Sequence, residues 1–403
     1  MTRKYQMPSR MKIALCCPAS LPATQFGGIL FLAVDLAKEL SKTGHDVTIY
    51  TTDLDFANNP NTFNKKLLRE ETFKNFTIKR SHVWLGVLLF YINPSMYLQM
   101  RKDDFDIIHT IGIRSFQSLI ATMISKRKKI PLVISDQGGL TTHPDLQRGI
   151  IRKILYKLQG PMLNFIINQA TKIIVANEYE REIFSNFTTN SKIEVIRNGI
   201  DLEELKIEKI YFKEKNNIKN NFILFLGRFS EVKGIDILLN AVSLIKDTQA
   251  MQNTKMVIMG VDFGFEKEML HMINDLKITH NVLVIKNPSR QDVIAAYNEC
   301  NFLVLPSRWE LSPLTPLEGF AFKKTVISTK AHGIPHTIKD GENCILVAPE
   351  NYKELANAIL ELLSNSKKCE EYGLAGYKLV QEICNSKKMA KNIFKIYQEI
   401  VNR

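Results

Sequence analysis

Short apolar runs alternating with stretches of helical spacing, in two successive sets, constrain this chain more than any other feature. Lys12–Pro18 (KIALCCP) is one such run. Gly27-Gly28 lies in the turn before a helical pattern from about Ile29 to Lys42, and Gly44-His45-Asp46 leads to a second run, Val47–Thr51. Strand, glycine turn, helix and strand make a βαβ unit, and such units build a parallel sheet covered on both faces. Further strands are expected at Phe105–His109, Pro131–Ser135, Thr171–Ala176 and Lys192–Ile196. After the polar, lysine-rich segment Leu202–Asn221 the alternation restarts. Strands are expected at Phe222–Leu226, Met256–Met259, Val282–Ile285, Phe302–Leu305 and Thr325–Ser328, with helices from Ile235, Phe265 and Gln291. The fold class is therefore α/β, with two doubly wound, Rossmann-like domains at residues 1–205 and 206–385. The last helix, Lys387–Val401, puts Ala390, Ile393, Phe394, Tyr397 and Val401 on one face, and residues 386–403 are expected to pack back on the first domain.

Residues 53–104 are less regular. Val83–Ile92 (VWLGVLLFYI) is strongly apolar but far too short to span a bilayer. It reads as a buried helix, with a patch that dips into a membrane surface as the alternative. From Arg148 to Asn168, helical apolar spacing is combined with Arg148, Arg152, Lys153 and Lys157, and Gly160-Pro161 must break or kink the helix. Charge is uneven. Residues 1–200 hold 27 Lys+Arg against 16 Asp+Glu, a surplus of 11, whereas the remainder holds 27 against 25. An anionic membrane face or an anionic acceptor suits that basic half. Without interleaved exposed aromatics it argues against nucleic acid. No apolar run reaches transmembrane length, and the basic N-terminus is not followed by a secretory apolar region. The scattered cysteines form no CxxC pair, so reduced thiols in a cytoplasmic protein are expected, with no metal bound through them.

The stretch Asn301–Pro335 carries the chemistry. An apolar run ends at Pro306, a loop follows with Glu310, and a helix is expected from Thr315 with Pro316 at its first position. Thr315-x-x-Glu318 matches a capping box. A strand thus feeds a loop whose amides gather at a helix N-terminus, which is an anion site. Two carboxylates, Glu310 and Glu318, suit a sugar nucleotide better than a bare phosphate, because sugar and ribose hydroxyls donate to carboxylates while amides and cations hold the diphosphate. The plainer alternative keeps Glu318 as the capping residue, worth about 1 kcal/mol, and Glu310 as a solvated loop residue. Gly227-Arg228 at a strand end and Lys233-Gly234 at a helix start converge cations and amides on one point. Gly27-Gly28 does not fit GxGxxG and is either a tight turn or a place of close backbone approach to a ligand. Asp53-Leu54-Asp55 and Asp104-Phe105-Asp106 have the spacing of a metal-binding pair, but each merely borders a strand.

Taken together, Gly27-Gly28, FDIIH at Phe105–His109, RNGID at Arg197–Asp201, GRFSEVKG at Gly227–Gly234, the Gly260–Gly264 turn, the Glu310-x7-Glu318 loop and helix, and HGIPHTIKDGENCILV resemble glycosyltransferase family 4 along essentially the whole chain. The resemblance implies the GT-B architecture, two Rossmann-like domains facing each other across a cleft, and retaining transfer of a sugar from a nucleoside-diphosphate donor to a hydroxyl acceptor, a glycan or lipid-linked precursor. It implies that Arg228 and Lys233 neutralise the diphosphate. Glu310 would accept from donor-sugar hydroxyls and Glu318 from the ribose. Gly227, Asn198, Gly199, Ser312, Leu314 and Thr315 would lie by the donor, and Gly27, Gly28, His109 and Gln137 by the acceptor. No cofactor and no metal are then needed, since the departing phosphate itself helps deprotonate the acceptor.

Two departures stand out. A histidine often found in this family six residues after the proline opening PLVIS is Gln137 here, which hydrogen-bonds but does not titrate. Pro313 stands where glycine is usual and offers no N–H. A buried structural role for His109 competes with a catalytic one. Two alternatives to a transferase remain at this stage: a sugar-nucleotide epimerase of the same fold, and a non-catalytic peripheral scaffold on the cytoplasmic membrane face.

Overall fold

Parallel strands buried on both faces need continuous apolar runs, and the chain supplies them in two groups. The computed structural model describes residues 10–56, 62–87, 89–138, 140, 150–206 and 211–402. They divide into a first unit, Met1–Gly199 with Ser386–Arg403, and a second, Ile200–Asn385. The boundary thus falls after Gly199.

The first unit holds β1 (Lys12–Cys16), β2 (Asp46–Thr52), β3 (Glu70–Phe73), β4 (Phe76–Ser81), β5 (Leu85–Val87), β6 (Phe90–Ile92), β7 (Ile107–Ile111), β8 (Leu132–Ser135), β9 (Lys172–Val175) and β10 (Ile193–Val195). Eight form one sheet in the order β10-β9-β8-β7-β1-β2-β4-β3, parallel except for β3, which runs antiparallel to β4 on the edge. β3 and β4 occupy the segment whose sequence looks irregular. They meet in a two-residue turn, Lys74-Asn75, where Lys74 takes a left-handed φ of 56°. Glycine ordinarily takes the left-handed first position of such a turn, and lysine there hides it.

Val83–Ile92 is not a helix. β5 and β6 form an antiparallel hairpin with Leu85 opposite Ile92 and Val87 opposite Phe90. Tyr91 is turned inward and fully buried, tilted edge-on to Phe63 at 5.4 Å. An unbroken apolar run carries no periodicity, so strand and helix cannot be told apart from pattern alone. The basic amphipathic stretch is two helices, Ile150–Leu158 and Gly160–Gln169, separated at Gln159 just before Pro161. Arg148 and Gly139 lie outside the described residues.

The C-terminal helix Ser386–Val401 belongs to the first unit and buries Ile393, Ile396, Tyr397 and Ile400. Each such side chain contributes about 1.5–3 kcal/mol. Here the expectation of His109 as an acceptor-side residue is corrected. His109 on β7 is fully buried, with Nδ1 2.5 Å from the Tyr397 hydroxyl and Nε2 2.8 Å from Ser135 Oγ. Both ring nitrogens are occupied, so the residue pins the helix to the sheet rather than meeting a ligand. Burial lowers its pKa to about 3. The unfolded imidazole titrates near 6.5, so below that pH the unfolded chain takes up a proton that the folded chain refuses, and stability falls with acidification. The cost is expected to reach about 2 kcal/mol by pH 5 at 1.36 kcal/mol per unit. Urea titrations of wild type and His109→Gln across that interval check this, since the variant should lose that part of the slope.

The second unit holds β11 (Asn221–Leu226), β12 (Thr254–Gly260), β13 (Val282–Lys286), β14 (Leu303–Leu305), β15 (Val326–Thr329) and β16 (Cys344–Val347). All six run parallel in the order β13-β12-β11-β14-β15-β16. The order reverses between β11 and β14, and ligands of doubly wound sheets bind outside the carboxyl ends of strands at such a switch point. All six cysteines are free thiols, and no helix among the described residues is long and apolar enough to cross a membrane.

Candidate active site

Both strands at the switch point of the second unit end in residues singled out from sequence. β11 runs into Gly227 and Arg228, then a short 3-10 turn, Glu231–Lys233, that delivers Lys233. β14 runs into Pro306 and the loop bearing Glu310. Lys233 Nζ is ion-paired with Glu310 Oε1. One pocket is lined by both of these residues together with Thr315, Pro313 and Pro316 from the helix mouth, Ser307 and Ser328, and the strand ends Leu226 and Leu305. Gly227 sits against the Lys233 stem. The Arg228 guanidinium lies over the Phe263 ring, 4.5 Å from its centroid.

Close approach of the two strand ends depends on Gly234. Its φ is +66°, and a Cβ there would collide with the Pro306 carbonyl oxygen. Gly260 is similarly confined by the Gly227 carbonyl. Arg308 fastens the same junction. Its two terminal nitrogens each donate to an oxygen of Asp236 at 2.7 Å, Nη1 also reaches the Glu231 carbonyl at 2.6 Å, and its backbone N–H donates to Val232 at 2.8 Å. Glu350 accepts from Arg308 Nε at 2.5 Å. Hydrogen bonding to Asp236 outweighs burial and holds the guanidinium charged, its pKa raised.

The helix after Glu310 corrects the capping-box expectation. It spans Leu314–Ala321 with Pro313 at the N-cap position, two residues before the Thr315 expected there, and no side chain caps it. Pro313 cannot donate, but the first-turn amides of Leu314 and Thr315 have no intrahelical acceptor. Ser312 precedes them in the loop. Glu318 lies in the helix interior and turns elsewhere: Arg290 Nη2 donates to its Oε1 at 2.7 Å and the Tyr297 hydroxyl to its Oε2 at 2.8 Å. Arg290 Nε also reaches Glu204 Oε1 at 3.3 Å. Burial works against the Arg290 charge, and Glu318 and Glu204 more than offset it, so its pKa is raised. A carboxylate has about four acceptor positions, so these bonds leave Glu318 able to accept from a hydroxyl.

The remaining site residues are in the first unit. Gly27, with φ +93°, precedes the helix Gly28–Lys42. Gln137, at φ 56°, exchanges two amide hydrogen bonds with Asn198, each 3.1 Å. The Gly199 N–H faces Met389 Sδ at 3.4 Å. Beside Gln137, sequence reasoning missed a buried acid pair, Asp136 and Glu180. Burial and then the Asp136 charge push the Glu180 carboxyl up to about 8. One acid of each pair with metal-like spacing has a structural partner: Asp106 accepts from the Lys12 N–H at 2.7 Å, and Asp53 from Val83 N–H at 3.1 Å beside His82 Nδ1 at 2.6 Å. Arg290, Tyr297 and Arg308 carried no sequence signal, because no motif spacing records which distant helices converge.

Residues 206–379 match the model of the family "Glycosyl transferases group 1", and residues 26–204 that of "Glycosyltransferase Family 4". The chain belongs to glycosyltransferase family 4. Among relatives, this glycosyltransferase is 28% identical over 336 residues to the capsular polysaccharide biosynthesis glycosyltransferase CapM of Staphylococcus aureus, covering 74% of this chain and 87% of that one. It is 26% identical over 308 residues to an uncharacterised glycosyltransferase of Methanocaldococcus jannaschii, covering 75% and 77%. Among solved structures, Anabaena HepE in complex with UDP and glucose superposes with a TM-score of 0.76 at 17% identity, covering 96% of this chain and all of that one. The fold of each unit is thus that of the GT-B glycosyltransferases.

Proposed function

We propose that this enzyme is a retaining transferase that takes a sugar from a nucleoside-diphosphate sugar held at the switch point of its second unit. The sugar passes to a hydroxyl acceptor, a glycan or a lipid-linked precursor. The observation that carries the donor assignment is the Lys233–Glu310 pair at the mouth of the Leu314 helix. An ammonium, a carboxylate and unpartnered helix amides within one pocket match a ligand that is anionic at the pyrophosphate and rich in donating hydroxyls on the sugar. Arg228 adds a second cation from the neighbouring turn. Glu310 orients the sugar, and Glu318, fixed by Arg290 and Tyr297, accepts from the ribose. Lys233 and the amides stabilise charge as it develops on the departing phosphate, so no metal and no cofactor are called for. The UDP and glucose seen in the HepE structure support a donor of this class.

A thermal-shift screen of UDP-, GDP- and ADP-sugars tests the reading. A ligand that binds only the folded state stabilises it by about 2.7 kcal/mol at a hundredfold excess over its Kd. One nucleotide series should raise Tm and the others should not. Silence across all three would remove the donor assignment.

A further inference from the structure

The β5–β6 hairpin has a surface that a water-exposed hairpin ordinarily avoids. One face of a solvated antiparallel pair is polar, yet here that face carries Leu85, Val87, Phe90 and Ile92, with Leu85 and Val87 exposed. Trp84, at its base, is 72% exposed. The helix Ile150–Leu158 shows the same anomaly. Ile150, Ile154 and Leu158, successive residues one turn apart, are 78%, 52% and 69% exposed. Exposed Lys153 and Lys157 flank that stripe.

The two elements are neighbours. Phe90 of the hairpin packs edge-on to Phe116 at 6.1 Å. Two residues earlier, Arg114 lies over the Tyr156 ring at 3.9 Å and donates to Gln159 at 2.6 Å. Tyr156 is roughly 200° around the helix from Ile154 at 100° per residue, so the helix is fastened by the side opposite its apolar stripe. Both surfaces are therefore carried by Arg114–Phe116, just past the carboxyl end of β7.

We propose that this surface of the first unit docks onto an anionic lipid bilayer, with Trp84, Leu85 and Val87 entering the interface and the Ile150–Leu158 helix lying along it. Charge selects this occupant over a protein. Lysine is depleted from protein–protein interfaces, whereas at a bilayer it extends to the headgroups while its stem covers apolar surface. Tryptophan prefers that boundary. The surplus of 11 positive charges in residues 1–200 supplies long-range attraction. A lipid-linked acceptor would then be met at the surface where it resides. The inference goes beyond the donor reading and does not depend on it.

Flotation with vesicles of phosphatidylcholine, alone or mixed with an equal part of phosphatidylglycerol, tests it. The full chain should float with the anionic vesicles at low salt, stay behind with the neutral ones, and be released by added salt. Trp84 emission should shift to the blue on binding, against the constant signal of Trp309. Trp84→Ser combined with Leu85→Ser should abolish flotation. Lys153→Gln combined with Lys157→Gln should weaken partitioning about 30-fold, from about 1 kcal/mol per lysine at 1.4 kcal/mol per tenfold. An unchanged Tm of each variant shows that its surface, not its fold, was altered, and donor thermal shifts on the same variants report the donor site separately. Absence of flotation, equal flotation with both vesicles, or full flotation of both variants would overturn the proposal, the first leaving a protein partner as the occupant.

Discussion

Lys233→Ala is expected to lower sugar transfer roughly a hundredfold while leaving the fold nearly as stable as before. The ammonium meets Glu310 inside the pocket rather than on open surface, and on the donor reading proposed above it faces the departing phosphate, a role worth about 3 kcal/mol to the transition state. That corresponds to about two orders of magnitude in kcat/KM. Its contribution to stability is much smaller. Both side chains keep partial access to water, at 25% and 17%, so the pair is worth no more than about 1 kcal/mol in the folded state. Steady-state kinetics with the donor found by thermal shift, beside an unfolding curve, separates the two quantities. A variant that unfolds early but transfers at the wild-type rate would make Lys233 a structural cation. Combining the change with Glu310→Gln should cost less than the two single effects added, because the partners act through one contact.

Sequence revealed this site where its logic is local and hid it where its logic is distant. β11 and β14 are buried on both faces, so Phe222–Leu226 and the run ending at Leu305 stand out as apolar segments, and the residues following them fall at strand ends. Lys233, Glu310 and Thr315 are legible for that reason. The neighbours of Glu318 are not, since Arg290 and Tyr297 come from a separate helix and no spacing encodes their approach. The Arg308 clamp is hidden likewise, because Asp236 and Glu350 are far from it along the chain. Thr315-x-x-Glu318 misled because Pro313 already takes the N-cap position, starting the helix at Leu314 and carrying Glu318 past the reach of a cap. His109 sits on a strand expected from sequence, but its partner Tyr397 lies 288 positions away, so only the fold reveals that it fastens the C-terminal helix.

Gly234→Ala is expected to destabilise the second unit by about 2–5 kcal/mol and abolish donor binding. Two costs combine at this position. The backbone is left-handed at φ +66°, which disfavours any residue with a Cβ by about 1–2 kcal/mol. The new methyl would also meet the Pro306 carbonyl oxygen and stand 3.2 Å from Ile237 Cδ1, an overpacking worth about 1–3 kcal/mol. Relief requires the Lys233 turn to move away from the end of β14. The Arg308 clamp resists that movement, because its backbone and side chain bind Val232, Glu231 and Asp236 at once. Lys233 and Glu310 are then carried apart even where the fold survives. Gly264→Ala separates the two costs, for Gly264 is also left-handed, at φ +94°, but has nothing within 4 Å of its added methyl. Calorimetry should show the Gly234 variant melting several degrees below the Gly264 variant, at roughly 2–4 °C per kcal/mol for a unit of this size. Only the Gly234 variant should lose its donor-induced shift. Equal losses in the two variants would mean that backbone conformation alone, and not the contact with Pro306, makes glycine necessary beside Lys233.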